Sequence, residues 1–126
     1  MRQDMFVNLG NAHMKLSTIV NELQLTPLVE LCDQEVTSAY ASDLLSDVVG
    51  NAQAGTLLIT IQVHRNVVAV ASLVGLSAVV IVHGRRPEDD VLEAARENKI
   101  NLLSTPCTAF TLAGRLYQLG LRAPGE

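Results

Sequence analysis

Between Thr56 and Thr108 the hydrophobic pattern repeats three times, each time as a strand, a short polar clause and a stretch at helical spacing. The clauses read Gln62-Val63-His64-Arg65-Asn66, His83-Gly84-Arg85-Arg86-Pro87 and Ser104-Thr105-Pro106-Cys107-Thr108. Repeated β-α units of this kind predict a parallel sheet whose strand-to-helix loops all lie on one edge, where ligands of such folds usually bind. The predicted strands are Thr56 to Val63, Ala78 to Val82 and Asn101 to Ser104. The predicted helices run from about Asn66 to Leu73, Pro87 to Lys99 and Thr108 to Leu119.

Upstream the pattern is shorter. Ser17 is placed to cap a helix over Thr18 to Leu23, which Thr26-Pro27 ends. Leu28 to Leu31 and Val36 to Ala39 read as short strands around an Asp33-Gln34 turn. From Ser42 to Ala52, Leu44, Leu45, Val48, Val49 and Ala52 recur at helical spacing opposite Asp43, Ser46, Asp47 and Asn51. These elements predict one α/β domain with a mainly parallel sheet of about four or five strands and helices on its faces.

Two helices differ in a telling way. Pro87 to Lys99 has Val91, Leu92 and Ala95 on one face and charges elsewhere, so it is solvated on its outer side; Pro87 suits the first helical position. The Asn66 to Leu73 helix is apolar almost all round and calls for cover on both sides. A second subunit is the economical cover, which makes Val67, Val68 and Val70 the candidate dimer interface.

Composition narrows the function classes. The chain has 126 residues, 48% of them hydrophobic, which is enough for one core. Its net charge of −4, two Phe, two Tyr and no Trp supply neither the basic stripe nor the stacking platforms of a nucleic-acid binder. Val67 to Val82 carries no charge but is shorter than the roughly 20 residues of a membrane helix, and Gly75-Leu76-Ser77 breaks it into a helix and a strand. Cys32 and Cys107 are far apart and form no C-x-x-C, which fits a reducing, cytoplasmic setting. Residues 1–13 lack a signal-peptide core, and the His13-Met14 pair suggests a natural start at Met14 after a leader left by a cloning site.

The run from Val36 to Leu121 resembles a DRTGG domain, similar to the N-terminal domain of HPr kinase/phosphorylase and found also in phosphotransacetylases and some regulated pyrophosphatases. The residues that carry the resemblance are Ala41-Ser42-Asp43-Leu44-Leu45-Ser46-Asp47-Val48, the segment from Thr60 to Leu73, the segment from Ala78 to Pro87, and Asn101-Leu102-Leu103-Ser104-Thr105. Small stand-alone bacterial members are the nearest in pattern. The resemblance implies a domain from 36 to 121, preceded by a helix and strand over 14–35, with a regulatory or dimer-forming role. In the larger proteins the chemistry belongs to other modules.

Motifs for catalysis are absent: there is no G-x-x-x-x-G-K-[ST], G-x-S-x-G, H-E-x-x-H or G-x-G-x-x-G. Asp43 and Asp47 are the only acids that a phosphotransfer enzyme could use near the clauses. His64 and His83 are read as polar strand ends rather than zinc ligands or acid/base groups, and Cys107 as a small filler, so no metal or cofactor is called for. The sharpest candidate is an anion site. Asn66 opens a helix with His64 and Arg65 beside it and no acid in its first turn, so its N–H groups are expected to be open to a phosphate. Ser104, Thr105 and Thr108 face it from the third clause, and His83, Gly84 and Arg85 from the second. An adenine nucleotide or another phosphorylated small molecule is the expected ligand. A pure protein-interaction scaffold with an unidentified partner is the rival reading; hydration of the strand ends alone explains the same clauses.

Overall fold

The computed structural model describes residues 13–126; the leader proposed for the N-terminus otherwise lies outside the described residues. The described chain runs β1 (Met14–Lys15), α1 (Leu16–Leu23), β2 (Thr26–Pro27), β3 (Glu35–Val36), β4 (Ser38–Ala41), α2 (Leu45–Asn51), β5 (Thr56–Thr60), α3 (Asn66–Val74), β6 (Ala78–Ile81), α4 (Asp89–Glu97), β7 (Leu102–Ser104) and α5 (Ala109–Gln118). Five strands form one sheet in the order β2-β7-β6-β5-β4, while β1 and β3 pair separately as an antiparallel ribbon. β4, β5, β6 and β7 are parallel neighbours in chain order, and β2 joins β7 antiparallel. The α/β class and mainly parallel five-stranded sheet are therefore those expected.

Chain order explains the layers. Right-handed crossovers that always step in the same direction place their helices on the same face of the sheet. α2, α3 and α4 accordingly share one core with Leu58, Val79, Ile81 and Leu102. α1 and α5 cover the other face, where Leu16, Ile19, Leu112 and Leu116 meet Leu57, Ile59, Val80 and Leu103. Every residue of β5 and β6 is buried, as strands covered on both faces must be.

Several local expectations are corrected. Leu28 to Leu31 is not a strand; the pairing falls two residues earlier, where Thr26 sits opposite Ser104 and Pro27 opposite Leu103. Pro27 tolerates this because an edge strand needs no outward N–H. α1 ends at Gln24, which takes a left-handed φ of 54°. Val36 to Ala39 divides at Thr37, so that Val36 pairs with Met14 while Ser38 pairs with Thr56. β5 stops at Thr60, leaving Gln62 and Val63 in the loop. α4 begins at Asp89 rather than Pro87, which is buried before it.

Ser17 is not the cap of α1 but lies inside it. Its amide and hydroxyl both donate to Asp33, at 3.0 and 2.8 Å, so the acid caps the helix from the loop. Those bonds hold the Asp33 carboxyl below its ordinary range. Asn101 fastens the same loop from beneath. Its Oδ1 accepts from the Cys32 amide at 2.8 Å, and its Nδ2 donates to the carbonyls of Cys32 and Ser77 at 2.8 and 2.9 Å. Asn101 is buried, so losing its side chain leaves those groups without partners. Asn101→Ala should lower unfolding stability by about 3 kcal/mol, at the upper end of the cost of stranding buried polar groups. Denaturant titration checks this, and a loss below about 1 kcal/mol would mean that water replaces the clamp.

Candidate functional site

The loops after β5, β6 and β7 emerge on one edge of the sheet, as parallel strands require. Between the first two lies a cleft of about 390 Å³ lined by Gln62, Val63, His64, Arg65, Arg85, Arg86, Glu88, Asp90 and Val91. Arg65 and His64 come from the wall that leads into α3, and Arg85 and Arg86 from the wall that leads into α4. The Arg85 guanidinium crosses between the walls and donates to the Ile61 carbonyl at 2.7 Å. This bond sets the spacing of the two loops.

Of the nine residues proposed to hold an anion, His64, Arg65 and Arg85 line the cleft and the other six do not. Ser104 is the last residue of β7 and pairs with Thr26. Thr105 is buried, and its hydroxyl accepts from the Cys107 amide at 3.3 Å. Thr108 caps α5 by accepting from the Thr111 amide at 3.2 Å. His83 and Gly84 both have positive φ, 64° and 66°, which turns their amides towards the third loop. There they donate to the carbonyls of Cys107 and Thr105, at 2.9 Å each. The second and third clauses therefore hold each other, and the cleft belongs to the first and second.

The start of α3 also departs from expectation. The Asn66 amide donates to His64 Nδ1 at 3.2 Å, and the Val67 and Val68 amides donate to the carbonyls of His64 and Arg65 at 3.0 and 3.1 Å. These N–H groups are occupied within the chain, so an anion here would be held by side chains. Because His64 accepts through Nδ1, its remaining ring proton sits on Nε2. Glu88 and Asp90 form part of the cleft wall beside Arg85 and Arg86. Sequence reasoning left out Gln62 and Arg86 as contacts, although both stand inside the polar clauses it singled out.

Asp43 and Asp47, the acids weighed for phosphotransfer, do not line the cleft. Asp43 Oδ1 accepts from the Thr60 hydroxyl and the Ile61 amide at 3.0 and 2.8 Å, tying the loop after β4 to the end of β5. Asp47 accepts from the Tyr40 hydroxyl at 2.8 Å and from the Asn51 amide side chain at 2.8 Å. Among the described residues no group of three or more His, Cys, Asp or Glu is arranged to hold a metal ion. Cys32 and Cys107 are free thiols, and no helix of the described chain is long and apolar enough to cross a membrane.

The dimer assignment changes with the packing. Val67 and Val68 are 0% and 2% exposed within a single chain, because α3 is the middle helix of its layer and is covered by the sheet, α2 and α4. They are not available to a partner. The apolar surface that α3 leaves outside is formed by exposed Ala69 and Leu73, the latter 73% exposed, with half-buried Val70 and Val74 beside them.

The architecture is that of a mainly parallel α/β domain with a charged cleft at its strand ends. No protein-family model matches the chain, and no curated protein matches it in sequence. A solved structure of similar fold is the CBS and DRTGG domains of the regulatory region of Clostridium perfringens pyrophosphatase, complexed with its activator, diadenosine tetraphosphate. The TM-score is 0.66 at 14% identity, over 87% of this chain and 51% of that one, so the chain spans about half its length. The likeness supports a DRTGG-like fold.

The Tyr40 hydrogen bond lowers the pKa of Asp47 and raises that of Tyr40 itself. A depressed carboxylate stabilises the fold above its unfolded pKa and loses that contribution as pH falls through the folded value, below about pH 4. The raised tyrosine contributes below its unfolded pKa, and that contribution disappears as pH rises through the folded value, above about pH 10. Tyr40→Phe should therefore flatten both limbs of the stability profile. Melting temperatures from about pH 3 to about pH 11 measure this; limbs that match the unsubstituted protein would show the bond to be absent in solution.

Proposed function

We propose that this chain is a non-catalytic regulatory module whose cleft takes the phosphate groups of an adenine nucleotide, and that two copies pair through the outer side of α3. The observation that carries the ligand reading is the convergence of Arg65, Arg85 and Arg86 from adjacent loops on one cleft beside His64. Guanidinium groups match phosphate oxygens in charge and in fork geometry. Glu88 and Asp90 on the same wall would accept hydrogen bonds from ribose hydroxyls or from an amino group of the base. The similar fold in a regulatory region bound to diadenosine tetraphosphate supports this ligand class. Asp43 and Asp47, the two acids weighed for phosphotransfer, lie outside the cleft and would not meet a phosphate bound there.

One observation favours an interaction scaffold instead. Phe110 and Tyr117 lie seven positions apart on α5 and are 88% and 59% exposed, a surface that suits a protein partner.

Calorimetric titration with diadenosine tetraphosphate, ATP and adenosine separates the readings. The two phosphorylated compounds should bind and adenosine should not. Stabilisation should grow by mass action, reaching about 2.7 kcal/mol at a hundredfold excess over Kd. Arg65→Ala and Arg86→Ala should each weaken binding about tenfold or more, the scale of a lost charged hydrogen bond. Arg96→Ala, on the outer side of α4, should leave it unchanged. Equal losses at all three arginines would reduce the cleft to diffuse attraction, and no binding at all would favour the scaffold.

Pairing through α3 has its own measurement. Leu73→Glu should convert a dimer into a monomer by light scattering with the fold intact by circular dichroism. A dimer that survives the substitution places its interface elsewhere.

A further inference from the structure

The two edges of the five-stranded sheet are protected by different means. At one end β2 is two residues long and contains Pro27, features that blunt an edge against strand addition. At the other, β4 has the sequence Ser38-Ala39-Tyr40-Ala41, with neither proline nor charge. Amide directions alternate along a strand, and the Ser42 amide points inward to the Ile59 carbonyl. Ala39 and Ala41 therefore carry the outward N–H groups of the edge.

The segment that follows α5 reaches that edge. The Arg122 carbonyl accepts from the Ala39 amide at 3.0 Å, the position a neighbouring strand would occupy. Arg122 is fixed there by its own side chain, whose Nη1 donates to the carbonyls of Tyr117 and Leu121 at 3.2 and 2.8 Å. Its guanidinium carbon lies 3.7 Å from the Tyr117 ring centroid, a stacked cation–π contact. Leu121 anchors the segment in the core at 2% exposure. A cavity of about 160 Å³ remains between this segment and β4, so the strap touches the edge at one point without filling the space along it.

We propose that the segment from Arg122 to Glu126 is a strap over the open edge of the sheet, and that its release lets β4 pair with β4 of a second copy. A second copy is the fitting occupant because an antiparallel pair of identical strands is self-complementary about a two-fold axis. Small side chains at Ala39 and Ala41 allow the two backbones to approach, and the absence of charge removes the usual repulsion at such an edge. This contact is separate from the outer side of α3 and from the cleft.

The test compares the full chain with one ending at Leu121, by light scattering at matched concentrations. The shortened chain should have at least twice the mass of the full chain, because each freed β4 takes one further copy. Adding Ala41→Pro, which deletes an outward N–H that the sheet itself does not use, should abolish the doubling. Equal masses for the full and shortened chains would overturn the pairing, as would a doubling that persists with Ala41→Pro. If the shortened chain does not fold, Arg122→Ala in the full chain tests the strap directly. Amide exchange at Ala39 should accelerate about tenfold, in keeping with the loss of one hydrogen bond's worth of protection, and unchanged exchange would overturn the strap.

Discussion

β5 and β6 can be buried only if both faces of the sheet are covered, and the covering determines where everything else lies. Thr56 to Thr60 and Ala78 to Ile81 have no exposed residue. Their side chains alternate between two cores, one under α2, α3 and α4 and the other under α1 and α5. Three crossovers that step in one direction supply the first layer. The second must come from the chain ends, which is why α1 and α5 are needed although neither connects adjacent parallel strands. The same topology sends every strand-to-helix loop to one edge, so the cleft is a consequence of the core.

Polar side chains then fix the loops that the core leaves loose. Asp43 ties the loop after β4 to the end of β5, Arg85 ties the loop after β6 to Ile61, and Asn101 holds the loop around Cys32. Each is a bond from a side chain to backbone, which positions a loop more exactly than contact between two mobile side chains does. The amides of His83 and Gly84 complete the series by joining the second loop to the third. A left-handed φ at His83 is the local strain required for that turn. The loops flanking the cleft are therefore held by hydrogen bonds within the chain, and Arg65 and Arg86 project from a fixed frame.

What could be read from residues alone follows from the range of the interactions involved. Repeats of strand, polar clause and helix are local patterns, and they located β5, β6, β7 and the helices after them to within a few residues. Pairings between segments far apart are not local. The β2 assignment turned on contact between Thr26 and Ser104, and the capping of α1 on Asp33 reaching back sixteen positions to Ser17. The apolar circumference of α3 correctly called for cover on several sides, but the number of neighbours within the layer depends on strand order, which periodicity does not encode. The site divided in the same way. His64, Arg65 and Arg85 were legible because cationic residues next to helix starts are conspicuous. The removal of His83 and Gly84 depends on bonds between loops that only the folded chain makes, while Thr105 and Thr108 are taken up locally by the Cys107 and Thr111 amides.

The charge arrangement at the cleft has a physical cost that bears on its use. Among the described residues the ion pair is Arg96 with Glu93, exposed on α4 at 3.3 Å, where such a pair contributes little. No ion pair joins Arg65, Arg85 or Arg86 to Glu88 or Asp90, although all five line one cavity. Arg85 gives its guanidinium to a carbonyl, which satisfies a donor without neutralising the charge. Three cationic and two anionic side chains thus share the walls without pairing, which leaves one net positive charge facing the cleft. An anion between the arginines would meet guanidinium donors that no carboxylate of the chain already holds. Because the frame is held by hydrogen bonds to backbone, such an anion would find the walls already spaced, and little of its binding energy would go into ordering loops.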